Sequence, residues 1–176
     1  VKSFDPKILF HTDCIQAYGK LNCYPKKWKA DMISVSGHKI HGPKGIGFIY
    51  IKNGTKIKPI IWGGNQQKGM RSGTENVPGI AGLGKAAELI YENHEEKIAH
   101  IREIKDHFIK RVMEEIPDVK DNSGDAPHVA SISFLGVRSE VLLHALEERE
   151  IYVSAGSACS SNKPEVSGTL KGIGLT

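Results

Sequence analysis

The sequence predicts an α/β chain: short strands, then a long helical stretch, then a β-α-β tail, an α/β or α+β portion joined to the end of a larger sheet domain. Three observations carry this. Short apolar runs separated by glycine, proline and asparagine fill residues 7–62. Apolar residues then recur at helical spacing from Ile80 to Ile116. A period of two returns at residues 128–134, after a loop rich in Asp, Asn, Ser and Gly.

In order, residues 7–13 (KILFHTD) read as a short buried strand ending in a polar residue, and residues 31–36 (DMISVS) as a second. A glycine-rich stretch, residues 37–47, follows. Residues 47–51 (GFIYI) are apolar and β-branched or aromatic, and residues 56–62 read as a further strand. Asn53-Gly54 between these two runs is a hairpin signal. Asn76 caps a predicted helix whose second residue is Pro78, where the missing N–H costs little. Ile80, Leu83, Ala87 and Ile90 share its apolar face. Ile98, Ile101, Phe108, Val112 and Ile116 continue the pattern up to Pro117, as one very long helix or two with a bend near Asn93-His94. The opposite face of the second half carries Glu, Lys and His, as expected of a helix leaving a core to bridge two domains. Ser139 is positioned to cap a helix bearing Val141, Leu142, Ala145 and Leu146. Tyr152-Val153 reads as a short strand, and residues 156–161 as a loop of small residues.

A length of 176 residues suits one ordinary domain or a piece of something larger, and 39% apolar with 25% charged residues is a globular composition. No run of about 18 apolar residues occurs, so no membrane span is expected. The first residues, VKSFDPKILFH, lack the charged-then-apolar order of a secretory signal and enter a strand-like run almost at once, as a chain entered midway through a fold would. The net charge of +4 is modest, and the cluster Lys26-Lys27-Trp28-Lys29 reads as a solvated turn, so nucleic acid is not expected as a partner. The three cysteines stand at long, unequal spacings without CxxC or Cys/His metal patterns, so the chain reads as cytoplasmic with free thiols and no metal site.

Four features bear chemistry. In SGHKIHGPKG (residues 36–45) a lysine follows a strand directly, flanked by histidines and glycines. Schiff-base chemistry needs an amine that can be deprotonated, and partial burial with nearby cations brings a lysine down from about 10.4 toward neutrality. Contact with a phosphate, or simple exposure in a turn, is the plainer role for such a lysine. Asp13 ends the first strand with Gln16 three residues on; a carboxylate there suits a protonated ring nitrogen, or simply a helix cap. Gly63-Gly64-Asn65-Gln66-Gln67 and Arg71-Ser72-Gly73-Thr74 offer hydroxyls, amides and a guanidinium to an anion, or form a surface loop. Finally, Cys159 lies in SAGSACSS, without an apolar shell in sequence, which favours an exposed reactive thiol; Cys14 and Cys23 look structural.

HTDCIQAYGK, SGHKIHGPKGIG, the GG…GMRSGTEN segment and SAGSACSS, in this order, resemble the motifs of the cysteine desulfurases, class V members of the fold-type I enzymes that use pyridoxal 5'-phosphate (PLP). The resemblance covers essentially the whole chain, and the GSAC loop resembles that of the branch supplying iron–sulfur cluster assembly. It implies the C-terminal part of the large PLP-binding domain over residues 1–92, and most of an α+β small domain with the cysteine loop over residues 93–176. Lys39 would hold the cofactor as a Schiff base, Asp13 would pair with the ring nitrogen, and Gln16 would contact the ring hydroxyl. Ser36 and His38 would bind the cofactor phosphate, Thr74 the phosphate of a homodimer partner. Cys159 would take the sulfur of L-cysteine as a persulfide and pass it to an iron–sulfur scaffold or another acceptor. The family's N-terminal half and extreme C-terminus, with the ring-stacking histidine and the arginine for the substrate carboxylate, have no counterpart here, and the chain alone is expected to be inactive. Cys14 stands where a small residue is expected, and Gly168 is an unexpected helix-weakening choice. Alternatives are another class V PLP enzyme, a selenocysteine lyase or an aminotransferase, or an inactive binding module.

Overall fold

The computed structural model describes residues 1–155, 168–172 and 174. Along the chain these form β1 (His11–Asp13), α1 (Pro25–Trp28), β2 (Met32–Ser36), a 3₁₀ turn (Gly37–Ile40), β3 (Gly47–Ile51), a second 3₁₀ turn (Gln66–Gly69), α2 (Val77–Tyr91), α3 (His94–Glu115), β4 (Val119–Asp121), β5 (Ile132–Phe134), α4 (Ser139–Glu147) and α5 (Gly168–Gly172). They divide into two compact units, Val1–His107 with Gly124–Val129, and Phe108–Ser123 with Ala130–Thr176.

In the first unit β2 is the central strand. It pairs in parallel with β1 (Asp13 opposite Ser34) and antiparallel with β3 (Ser36 opposite Gly47). The period of two is visible in its burial: Ile33 and Val35 are inside, with half-buried residues between them. Ile33 and Val35 pack with Cys14 and Ala30, while Ile40, Leu83 and Ala86 form a second cluster that seats α2 on the 3₁₀ turn; Tyr18 packs against both. At Gly47 a side chain would run into the Val35 carbonyl, so only glycine lets β3 approach β2 this closely. Asp31, buried just before β2, accepts from the Phe10 amide at 2.8 Å and pairs with Lys2 at 2.5 Å, which ties the segment before β1 to the sheet.

α2 starts as its sequence predicts: the Asn76 carboxamide oxygen accepts from the Gly79 amide at 3.0 Å, with Pro78 in the first turn. Of the two readings of the helical stretch, the structure has two helices, because Asn93 takes a left-handed φ of 50° and breaks the run. In the second unit β4 and β5 form an antiparallel ribbon, Val119 opposite Phe134, and α4 lays half-buried Leu142, Ala145 and Leu146 inward. None of its described residues is fully buried. No helix of the described residues is long and apolar enough to cross a membrane.

Six local expectations are corrected. The first strand shrinks from residues 7–13 to His11–Asp13 and is not buried: the Lys7 amide bonds the Asp5 carboxylate, making a turn, and Leu9 is left exposed. Residues 56–62 form no strand, and the turn at Asn53-Gly54 is therefore no hairpin. Pro59 has no N–H to donate, Ile60 and Trp62 are 92% and 77% exposed, and a single bond from the Ser72 amide to the Ile61 carbonyl makes no ladder. Residues 152–153 form no strand, with Tyr152 in solvent. Ser139 is the first residue of α4 rather than its cap; Arg138 holds that place and makes no capping bond through its side chain. The predicted loop at residues 118–125 hides β4, whose one half-buried residue is Val119. Gly168, suspected as helix-weakening, opens the short helix α5.

Candidate active site

Of the predicted site residues, Asp13, Gln16, Ser36, His38 and Lys39 lie at or just beyond the C-terminal ends of the parallel pair β1 and β2. That is the edge where open α/β sheets hold ligands, because the chain leaves the sheet there with its backbone groups unpaired. β2 ends at Ser36 and passes directly into the 3₁₀ turn that carries His38 and Lys39. The Ser36 hydroxyl and His38 Nδ1 lie 2.7 Å apart, which sets a hydroxyl and an exposed imidazole side by side. Lys39 is half-buried, and its neighbour Ile40 is driven into the core beneath, so the turn is seated by its apolar residue and presents its polar ones. His41 then adopts a left-handed φ of 63° and returns its amide to the Gly37 carbonyl, closing the turn.

At the end of β1, Asp13 points into solvent and its Oδ1 accepts from the Ile15 amide at 2.8 Å. It is thus a capping residue for the following turn, in which the Ala17 and Tyr18 amides bond the Cys14 carbonyl, and an exposed carboxylate on the strand paired with β2. Gln16 lies exposed in the same turn. Thr74 sits in a separate, exposed segment, whose shape is fixed by the buried Ser72 hydroxyl donating to the Gly64 carbonyl at 2.8 Å and the Gly73 amide donating to Gln66 at 3.2 Å. Cys159 lies outside the described residues.

Cys14 is buried to 2% exposure and Cys23 half-buried, both as free thiols. Burial pushes the Cys14 thiol up, and it pushes Cys23 up to about 12, with the adjacent Cys14 adding to the effect. Two polar contacts of this sheet and its loops escaped the sequence reading. His11 Nε2 lies 2.6 Å from the Ser34 hydroxyl across the β1–β2 pair. Lys20 donates to the Lys39 carbonyl. Their partners are 23 and 19 residues away, so no short-range spacing announces them.

A strand-end carboxylate, a lysine just beyond the neighbouring parallel strand and a hydroxyl–imidazole pair flanking that lysine in sequence thus lie at one sheet edge. The chain belongs to the aminotransferase class-V family, which it matches over residues 2–172. It is 42% identical over 176 residues to the cysteine desulfurase IscS of Clostridium botulinum, covering 97% of this chain and 44% of that protein. It is 44% identical over 169 residues to the cysteine desulfurase of Sinorhizobium fredii, covering 94% and 44%. Among solved structures, a NifS-like protein from Rickettsia africae matches with a TM-score of 0.83 at 30% identity, covering 96% of this chain and 44% of that one. Another NifS-like protein matches at 0.80 with 36% identity, covering 88% and 42%. The chain thus spans less than half the length of these relatives.

Proposed function

We propose that the protein carrying this chain is a PLP-dependent cysteine desulfurase that converts L-cysteine to L-alanine and carries the released sulfur as a persulfide on Cys159. The observation that carries this reading is the placement of Lys39 directly after β2, with Asp13 at the end of the parallel strand beside it. The donor set fits the cofactor: a carboxylate for a protonated ring nitrogen (Asp13), an amide for the ring hydroxyl (Gln16), a hydroxyl–imidazole pair for phosphate oxygens (Ser36 and His38) and an amine (Lys39). When bound, PLP supplies an electron sink for the substrate's α-carbon. Lys39 is its covalent anchor, and the freed amine moves the proton at that carbon. Asp13 holds the ring nitrogen protonated. Cys159, as thiolate, takes the substrate sulfur. Cys14 and Cys23 are held as thiols by burial, which supports Cys159 as the acceptor.

Thr74, exposed in its own loop, is proposed to reach the phosphate of a homodimer partner, and an iron–sulfur scaffold or another acceptor protein in the cytoplasm to receive the sulfur. A domain division near residue 92 belongs to the same reading. The test is product analysis with the full-length protein: alanine and sulfide from L-cysteine with a thiol reductant present, and loss of both in Cys159→Ala. Undiminished turnover by that variant refutes the assignment of Cys159.

A further inference from the structure

We infer that Lys20 is a positioning residue for Lys39, clamping the backbone of the 3₁₀ turn from which the reactive amine projects. The inference rests on the role proposed for Lys39.

The Lys39 carbonyl lies near the C-terminal end of a four-residue turn, where carbonyls lose their helical partners. The amide three residues on, Gly42, is bound to the Gly37 carbonyl; the residue four on is Pro43, which has no N–H. The Lys20 ammonium donates to this carbonyl instead. The local chain is shaped to deliver it. Gly19 has a φ of +78°, and a Cβ there would stand 2.9 Å from Ile90 and 3.1 Å from Ile40, so only glycine lets the segment pass between α2 and the turn. The Gly19 carbonyl is held by His94 Nε2 at 3.2 Å, which pins the segment from the start of α3. Asp13 precedes the same loop and Lys20 lies seven residues on, so one short segment bears both a ligand of the proposed site and the clamp on its lysine.

This arrangement costs charge stability, which a purely structural contact would not require. Burial, and then the Lys39 cation, lower the pKa of Lys20. His128, whose ring nitrogens are both buried without a partner, has its own pKa lowered by burial and by the cations of Lys20 and Lys105. A half-buried ammonium is retained beside a second cation and a histidine, although an apolar side chain would fill the space at less cost.

The test uses the full-length, cofactor-loaded protein with Lys20→Met, which removes the donor, and Lys20→Arg, which keeps a charged one. We expect Lys20→Met to lower kcat per bound cofactor by about tenfold or more, the size of one charge-assisted hydrogen bond, with KM for L-cysteine within about twofold. Lys20→Arg is expected to recover most of the loss. Should Lys20→Met not fold, Lys20→Gln, with a shorter neutral donor, is read on the same scale. Unchanged kcat in the donor-free variant, or a fall in the urea midpoint with kcat per bound cofactor intact, overturns the inference. Borohydride reduction and peptide mapping of the wild type separate the two levels. A label away from Lys39 refutes the proposed function and this inference with it, whereas a Lys39 label with unaltered variant kinetics refutes the inference alone.

Discussion

Replacing Asp13 by Asn and by Ala separates the capping bond that this exposed carboxylate makes from the pairing with the ring nitrogen proposed for it. Its Oδ1 accepts from the Ile15 amide at 2.8 Å and so starts the turn after β1. Loss of such a capping acceptor costs about 0.5–2 kcal/mol, and for a side chain this exposed the lower half of that range, about 1 kcal/mol, is expected. Asn keeps an acceptor in the same place, so Asp13→Asn should stay within about 0.5 kcal/mol of the wild type, whereas Asp13→Ala should lose about 1 kcal/mol. Turnover should order them differently. A hydrogen bond to a charged group is worth about 1.5–3 kcal/mol, so removing the negative charge beside a protonated ring nitrogen should slow alanine production about 10- to 150-fold in both variants. Urea midpoints give the first quantity and alanine release the second. Wild-type turnover by Asp13→Asn would refute the pairing with the ring nitrogen, and an Asp13→Ala variant with unchanged stability would refute the capping role.

Borohydride reduction of the full-length protein should place the phosphopyridoxyl group on Lys39 and not on Lys44, because Lys44 lies beyond Pro43, after the chain has turned away from the β2 edge; a label on Lys44 contradicts this. Residues 1–176 alone should bind PLP weakly and scatter light, since the site has donors on one side only and Phe4, Ile60 and Trp62 stand 90%, 92% and 77% exposed; a tight, stoichiometric and Lys39-dependent visible band in a monomer would show otherwise. The Lys2 ammonium and then the Phe10 amide hold the Asp31 carboxyl below the usual carboxylate range. A lowered folded pKa stabilises above the unfolded value, about 3.9, and the gain is lost as pH falls through the folded value. Urea midpoints should therefore drop below about pH 4 in the wild type, and Asp31→Asn should flatten that acid limb; an identical limb in the variant would remove Asp31 as its source.

The sequence showed elements best where a local device defines them. Asn76 with Pro78 fixes the start of α2 because the cap is made within three residues, and residues 31–36 read as a strand because alternation and burial coincide at Ile33 and Val35. The reading failed where pairing decides. Residues 56–62 have strand composition but no neighbour to complete a ladder, and Val119 is a single apolar residue whose strand exists only because Phe134 lies opposite. In the site the same rule holds. Lys39, Ser36 and His38 were found because they share one turn. Lys20 was hidden because its partner is a backbone carbonyl, which leaves no side-chain signature.

That contrast explains how so small a core can support an ordered site edge. The buried apolar residues of the first unit are few, and they lie under the site instead of around it: Ile40 below the lysine turn, Cys14 below the aspartate turn, and Tyr18 against both clusters. Above them the positions are set by short-range bonds, from Asp13 to Ile15, Ser36 to His38, His41 to Gly37, and by longer reaches such as that of Lys20 to the Lys39 carbonyl. Lys20 joins the aspartate loop to the lysine turn by a side-chain hydrogen bond, beside the packing of Tyr18 against the Ile40 cluster, so a substitution at Lys20, more than at any cap, should move the two halves of the site relative to each other.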